Sequence, residues 1–215
     1  METRAARSLF LAALIAGGSY YATHWITVAP AVDVVWKGAG VGLLAVWAAF
    51  NARSADGWLI AAALALGAAG DVLLETHGLT IGAIAFLAGH VVAAMLYLRN
   101  RSGPIWQAGV IALAVVATAW ILPADRSAAP GIALYAAGLG AMFGTAAISR
   151  FPQGSVGLGA ALFVLSDLLI FGRMGPMAGN PLPGLLIWPT YFAGQALIAW
   201  GVVRSLGNED FHDRI

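Results

Sequence analysis

From Ala6 to Arg204 the chain is a succession of apolar runs, each about as long as a helix needs to cross hydrocarbon and separated only by charges, Pro and Asn/Gly clusters. A crossing helix takes about 20 mostly apolar residues, because lipid offers its backbone no hydrogen-bond partners. Cutting at the polar breaks predicts spans at 6–23, 32–50, 57–75, 79–98, 105–122, 129–149, 155–172 and 183–204. The fold class is therefore all-α and polytopic, with about eight transmembrane helices in a single transmembrane domain over residues 1–207. Residues 208–215 form a short polar cytoplasmic tail. The start, METRAARSLFLAALIAGGSYYA, has the basic opening and apolar run of a secretory signal, yet it reads better as the first span, since later spans hold the chain in the membrane anyway and no clean small-x-small cleavage site follows.

Composition excludes several classes. Of 215 residues 60% are hydrophobic and 10% charged, with a mean hydropathy of +0.83, far from the balance of a water-soluble domain. The net charge is +1 and the basic residues are scattered singly, so no nucleic-acid surface is expected. There is no cysteine, hence no disulfide, thiolate ligand or cysteine nucleophile.

Arginine placement sets an orientation, because cytoplasmic loops retain Lys and Arg. With the N-terminus inside, Arg4, Arg7, Arg53, Arg99, Arg101, Arg150, Arg204 and Arg214 are cytoplasmic and only Arg126 and Arg173 lie outside. Both termini are expected on the cytoplasmic side. FLAGHVVAAMLYLR (Phe86 to Arg99) aligns with YFAGQALIAWGVVR (Tyr191 to Arg204), and the preceding spans carry Gly70-Asp71-Val72-Leu73 and Ser166-Asp167-Leu168-Leu169. This faint repeat suggests two four-helix halves in parallel.

Within these spans the polar residues stand out. An Asp or Lys at a helix centre costs ~2.5–3.5 kcal/mol on insertion scales, so such residues face the bundle interior, pair and mark function. At 1.5 Å per residue Asp71 lies ~6–9 Å and Asp167 ~8–12 Å below the outer surface, with Lys37 ~8 Å, Tyr191 ~12 Å, His90 ~17 Å and Gln195 ~18 Å deep. Six polar groups from five spans thus share one layer, expected to line a polar cavity with Glu75 and His77 at its mouth. Two carboxylates in low dielectric cannot both ionise easily, which leaves one as a neutral acid near pH 7, the form a general acid needs. The plainer alternatives are interhelical hydrogen bonding for Asp71, Asp167 and His90, snorkelling for Lys37, packing for Tyr191 and solvation for Glu75 and His77. The pairs Gly38/Gly42 and Gly140/Gly144 read as helix-packing faces. One deep histidine is too few for zinc, and neither a nucleophile elbow nor a phosphate loop is present. No metal and no cofactor are expected.

Lys37, the segment GDVLLE (Gly70 to Glu75), FLAGH (Phe86 to His90), GAALFVLSDLLI (Gly159 to Ile170) and YFAGQ (Tyr191 to Gln195), in this order, resemble the YhhN-type lysoplasmalogenases, over about Val35 to Leu206. One departure is Lys37-Gly38, where many members have Lys-Pro. The resemblance implies hydrolysis of the vinyl ether bond of lysoplasmalogens to a fatty aldehyde and glycerophosphoethanolamine or glycerophosphocholine, with a lysophospholipid and water as partners. It implies Asp71 and Asp167 as the catalytic acids, in roles the sequence leaves open, and Lys37, His90, Tyr191, Gln195 and Glu75 as binding or positioning residues. The competing class is a transporter or proton-coupled carrier of a lysolipid or small solute, since intramembrane Asp and His also build proton relays. Ala- and Arg-rich, Lys-poor usage points to a GC-rich bacterial source and hence to the cytoplasmic (inner) membrane.

Overall fold

The computed structural model describes residues 3–212. Eight α-helices follow one another: α1 (Arg4–Tyr20), α2 (Pro30–Asn51), α3 (Ala55–His77), α4 (Leu79–Arg99), α5 (Ile105–Ile121), α6 (Ala129–Ala147), α7 (Leu158–Arg173) and α8 (Leu182–His212). A 3₁₀ turn (Tyr21–His24) follows α1, and one π-turn (Gln153–Gly157) leads into α7. Each expected span is a helix with ends within a few residues of the forecast, except that α8 continues past Arg204 to His212. Of the expected tail, 208–212 is thus helical, and 213–215 lies outside the described residues. Six helices, α2, α3, α4, α6, α7 with its π-turn, and α8, are long and apolar enough to cross a membrane. The all-α polytopic membrane fold stands on these; α1 and α5, at 17 residues each, are shorter.

Helix starts follow local chemistry. The Thr3 hydroxyl accepts from the Ala6 amide and the Ser54 hydroxyl from the Gly57 amide, each satisfying a backbone donor the first turn leaves orphaned. Proline occupies the first turn of α2 and α6, where its missing N–H costs nothing.

Helices α1 to α4 pack in succession, as do α5 on α6 and α7 on α8; α4 packs on α6 rather than on α5, and α8 reaches α2 and α3. Small residues bring the backbones together, as expected where lipid provides no hydrophobic drive for association. A Cβ on Gly144 would stand 2.4 Å from the Ala108 carbonyl oxygen, so the Gly140/Gly144 face packs tightly on α5. The Ala-Gly pair shared by the two aligned segments has the same use: Gly89 lies against the α3 backbone at Ala63 and Gly194 against the α7 backbone at Gly159. Large apolar side chains such as Ile15, Leu113 and Ile121, each about 70% exposed, point outward, the inverse of a water-soluble bundle.

The two ends of the bundle differ. At the end bearing Thr3, Arg99 Nε donates to Asp56 at 2.7 Å, Asn100 donates to the other Asp56 oxygen at 2.7 Å, and Arg150 Nε donates to Asn100 at 2.7 Å. The amides of Ser102 and Gly103 add bonds to the Ile148 carbonyl. The loops after α2, α4 and α6 are thereby tied together. The opposite end, where α3 and α7 finish and α2, α4, α6 and α8 begin, holds the polar core.

Candidate active site

α3 carries Asp71 and α7 carries Asp167 near their C-terminal ends, and both are buried, at 2% and 6% exposure. Each acid accepts from a tyrosine. Tyr191 on α8 donates its hydroxyl to Asp71 Oδ2 at 2.8 Å, and Tyr135 on α6 donates to Asp167 Oδ2 at 2.7 Å. Each tyrosine oxygen in turn faces a nitrogen one layer deeper. Gln195 Nε2 lies 3.5 Å from the Tyr191 hydroxyl, and His90 Nε2 lies 3.1 Å from that of Tyr135 and 4.0 Å from Asp167 Oδ2. The Ser166 hydroxyl makes a longer contact of 3.4 Å to Asp167 Oδ1.

His90 and Gln195 occupy matching places in the aligned segments FLAGH and YFAGQ; Gln195 on α8 stands on the side of Asp71 of α3, and His90 on α4 on the side of Asp167 of α7. The close seating at Gly194 fixes the register of α8 one turn from Tyr191. Phe163 packs edge-on to both His90 and Tyr191, with ring centroids 4.9 and 5.1 Å apart, and Phe86 packs on Tyr191 at 5.8 Å. These rings separate the two acid–tyrosine pairs from the lower core and hold the polar side chains in single orientations.

Above the acids lies a cavity of about 580 Å³, within the range of small-molecule sites. Asp71, Asp167, Tyr135, Tyr191, Ser166 and Lys37 line it, with Phe86, Leu87, Ile132, Ile170 and Trp188 as apolar wall. His24 and Arg173 stand among its lining residues, and its α4–α6 side is bounded by Leu79, Ile84 and Leu134, which are 57%, 59% and 69% exposed.

Of the residues singled out in the sequence, the structure therefore brings Asp71, Asp167, Tyr191 and Lys37 to one cavity. His90 and Gln195 lie beneath it and contact it through the tyrosines. Glu75 forms an ion pair with Lys37 and is not among the lining residues, so Lys37 holds a carboxylate of its own neighbouring helix. His77 contacts the adjacent Thr76 hydroxyl at the exposed end of α3. Tyr135 was not anticipated. It lies in ALYAAGLGA with no acid, amide or histidine at helical spacing, and a tyrosine near a span end reads as an interfacial anchor. Its depth, the same layer as Asp167 when counted along the span, was the available signal. Among the described residues no group of three or more His, Asp or Glu side chains is arranged to hold a metal ion.

The model of the YhhN family matches residues 32–202, which includes both acids, both tyrosines, Lys37, His90 and Gln195, though not His24 at the cavity mouth. The chain belongs to the YhhN family. Two curated relatives named lysoplasmalogenase, from Mycobacterium bovis and Mycobacterium tuberculosis, are each 33% identical to this YhhN protein over 159 residues, 67% of its length. The matched region is 59% of each relative, so the YhhN chain spans well under two thirds of their length. No solved structure matches it.

Proposed function

We propose that this YhhN protein hydrolyses the vinyl ether bond of lysoplasmalogens, as the name of its two mycobacterial relatives suggests for them. The observation that carries the reading is the convergence of two buried, tyrosine-bonded carboxyl groups on one largely apolar cavity. A vinyl ether breaks when a proton is added to its β-carbon, which leaves an oxocarbenium ion at the α-carbon. Water adds to that carbon and loses a proton, and the resulting hemiacetal expels the glycerol oxygen as an alcohol and leaves a fatty aldehyde. This path asks for one neutral acid and one anionic group close to the cation, the division of labour that glycosidases obtain from two carboxyl groups.

In this reading Asp71 and Asp167 share one proton. The protonated member delivers it to carbon; the ionised member steadies the oxocarbenium ion and accepts the proton of the attacking water. Tyr191 and Tyr135 each donate to one acid, so that the remaining carboxyl oxygen is the one turned to substrate. Ile132, Ile170 and Leu87 hold the alkenyl chain, which enters from the bilayer between α4 and α6 past Ile84 and Leu134. Lys37, Glu75, His24 and Arg173 stay at the mouth with the polar head group. All eight helices cross the bacterial cytoplasmic membrane, both termini inside, which puts the mouth at the outer face.

The test is direct: reconstitute the purified protein in vesicles, supply a lysoplasmenylethanolamine and measure fatty aldehyde. Aldehyde released in proportion to protein supports the assignment. Movement of the lysolipid across the vesicle wall with no aldehyde formed would replace it with transport.

A further inference from the structure

A second cavity, of about 20 Å³, lies beneath the two acids, and its lining includes His90, Gln195 and Tyr97 among apolar residues such as Leu64, Phe86 and Met142. Tyr97 is fully buried and its hydroxyl has no partner among the described residues. A buried hydroxyl left unpaired is a substantial penalty, and native structures rarely carry one. The other two polar residues each keep an atom of complementary character. The single hydroxyl proton of Tyr135 goes to Asp167, so the His90 Nε2 facing the Tyr135 oxygen carries a hydrogen and donates it. A neutral His90 then presents the Nδ1 lone pair elsewhere. Gln195 turns its amide nitrogen toward Tyr191, which leaves its carbonyl oxygen as an acceptor.

One donor and two acceptors therefore surround a space that suits a single water, which needs roughly 10–15 Å³ of such volume and about three hydrogen bonds. We propose that Tyr97, His90 and Gln195 hold one buried water, and that this water fixes the Nε2–H form of His90 and with it the direction in which Tyr135 donates to Asp167. The water accepts from Tyr97 and donates to His90 Nδ1 and to the Gln195 oxygen. Without it the imidazole is free to move its hydrogen to Nδ1. Nε2 would then compete with Asp167 for the Tyr135 proton, and the acid would lose its donor. Tyr97 is thus a positioning residue, two hydrogen bonds from His90 and four from Asp167. The consequence for turnover rests on the vinyl-ether reading, whereas the water site stands without it.

Histidine nitrogen resonances read the tautomer directly, and the chain has four histidines. With ¹⁵N-histidine-labelled protein in lipid nanodiscs, and His90 assigned by its loss in His90→Asn, the wild type should show one neutral Nε2–H form with Nδ1 hydrogen-bonded. Tyr97→Phe should show a mixture of the two tautomers. In the aldehyde assay Tyr97→Phe should lower kcat about fivefold, the scale of one hydrogen bond, with KM unchanged. An unchanged His90 spectrum in Tyr97→Phe overturns the proposal. So does an experimental structure that resolves ordered water elsewhere in the core but none within hydrogen-bond distance of the Tyr97 hydroxyl. Both readouts need no turnover, so a wild-type protein that releases no aldehyde would end the vinyl-ether reading while the water site is still judged.

Discussion

Tyr135 on α6 and Asp167 on α7 are joined by a 2.7 Å hydrogen bond that closes the far side of the cavity from the Tyr191–Asp71 pair. A buried carboxyl group held by a short hydrogen bond is specified in orientation as well as position. Tyr135→Phe keeps the ring and removes the donor. The expected result is a fall in aldehyde release of about tenfold or more with a small loss of thermal stability, since a hydrogen bond to a charged or acidic group is worth about 1.5–3 kcal/mol. Parallel melting curves and initial rates check it; an unchanged rate would detach Tyr135 from the chemistry.

Replacing the acids separates chemistry from packing. Asp71→Asn and Asp167→Asn keep shape and hydrogen-bonding capacity but remove the exchangeable carboxyl proton. Each should cost about 10²–10⁴ in kcat, the usual worth of general acid–base catalysis, with the protein still folded and monodisperse. Near-wild-type turnover in both variants would remove carboxylate catalysis from consideration.

The Lys37–Glu75 ion pair sits at the mouth, with side chains 16% and 36% exposed. Partly solvated pairs contribute about 0–1 kcal/mol. Glu75→Gln should therefore shift stability by no more than that and leave kcat within about threefold of wild type. Denaturation monitored in detergent together with steady-state kinetics measures both. A collapse of kcat would move Glu75 from the rim into the reaction.

The seat of α8 on α7 should be intolerant of bulk. A Cβ on Gly194 would come within 2.7 Å of the Gly159 carbonyl oxygen, a backbone atom that cannot swing aside. Gly194→Ala should lower the melting temperature and reduce turnover, because Tyr191 and Gln195 flank the displaced position. Gly109→Ala on α5, where an added Cβ meets nothing within 4 Å, should be neutral or slightly stabilising. Equal behaviour of the two variants would contradict the packing argument.

Entry between α4 and α6 is open to a steric probe. Gly131 lines the main cavity and has open space where a side chain would grow. Gly131→Leu should raise KM for long-chain substrates more than for short-chain ones, with kcat little altered. Chain-length-independent kinetics would place the alkenyl chain elsewhere.

Helix boundaries were legible because a lipid-spanning helix must satisfy its backbone internally, which turns hydropathy and polar breaks into near-complete instructions. Asp71, Asp167, His90 and Gln195 were legible because an ionisable or amide side chain in an apolar span is costly without a partner. Tyr135 was not, because tyrosine is at home near span ends for other reasons. The partner of Lys37 was open between a carboxylate and a phosphate, since depth along a helix says nothing about which side chain of the next helix it meets.

An all-helical membrane chain, its family and the layer in which its acids sit were readable from residue type and spacing along one dimension. Which acid takes which tyrosine, that His90 and Gln195 lie below the cavity rather than within it, and that Tyr97 lines the small space beneath with them came from helix packing alone. The physical reason is that those relations depend on helix rotation and close approach, set by small-residue contacts such as Gly194 on Gly159, between segments far apart in the chain.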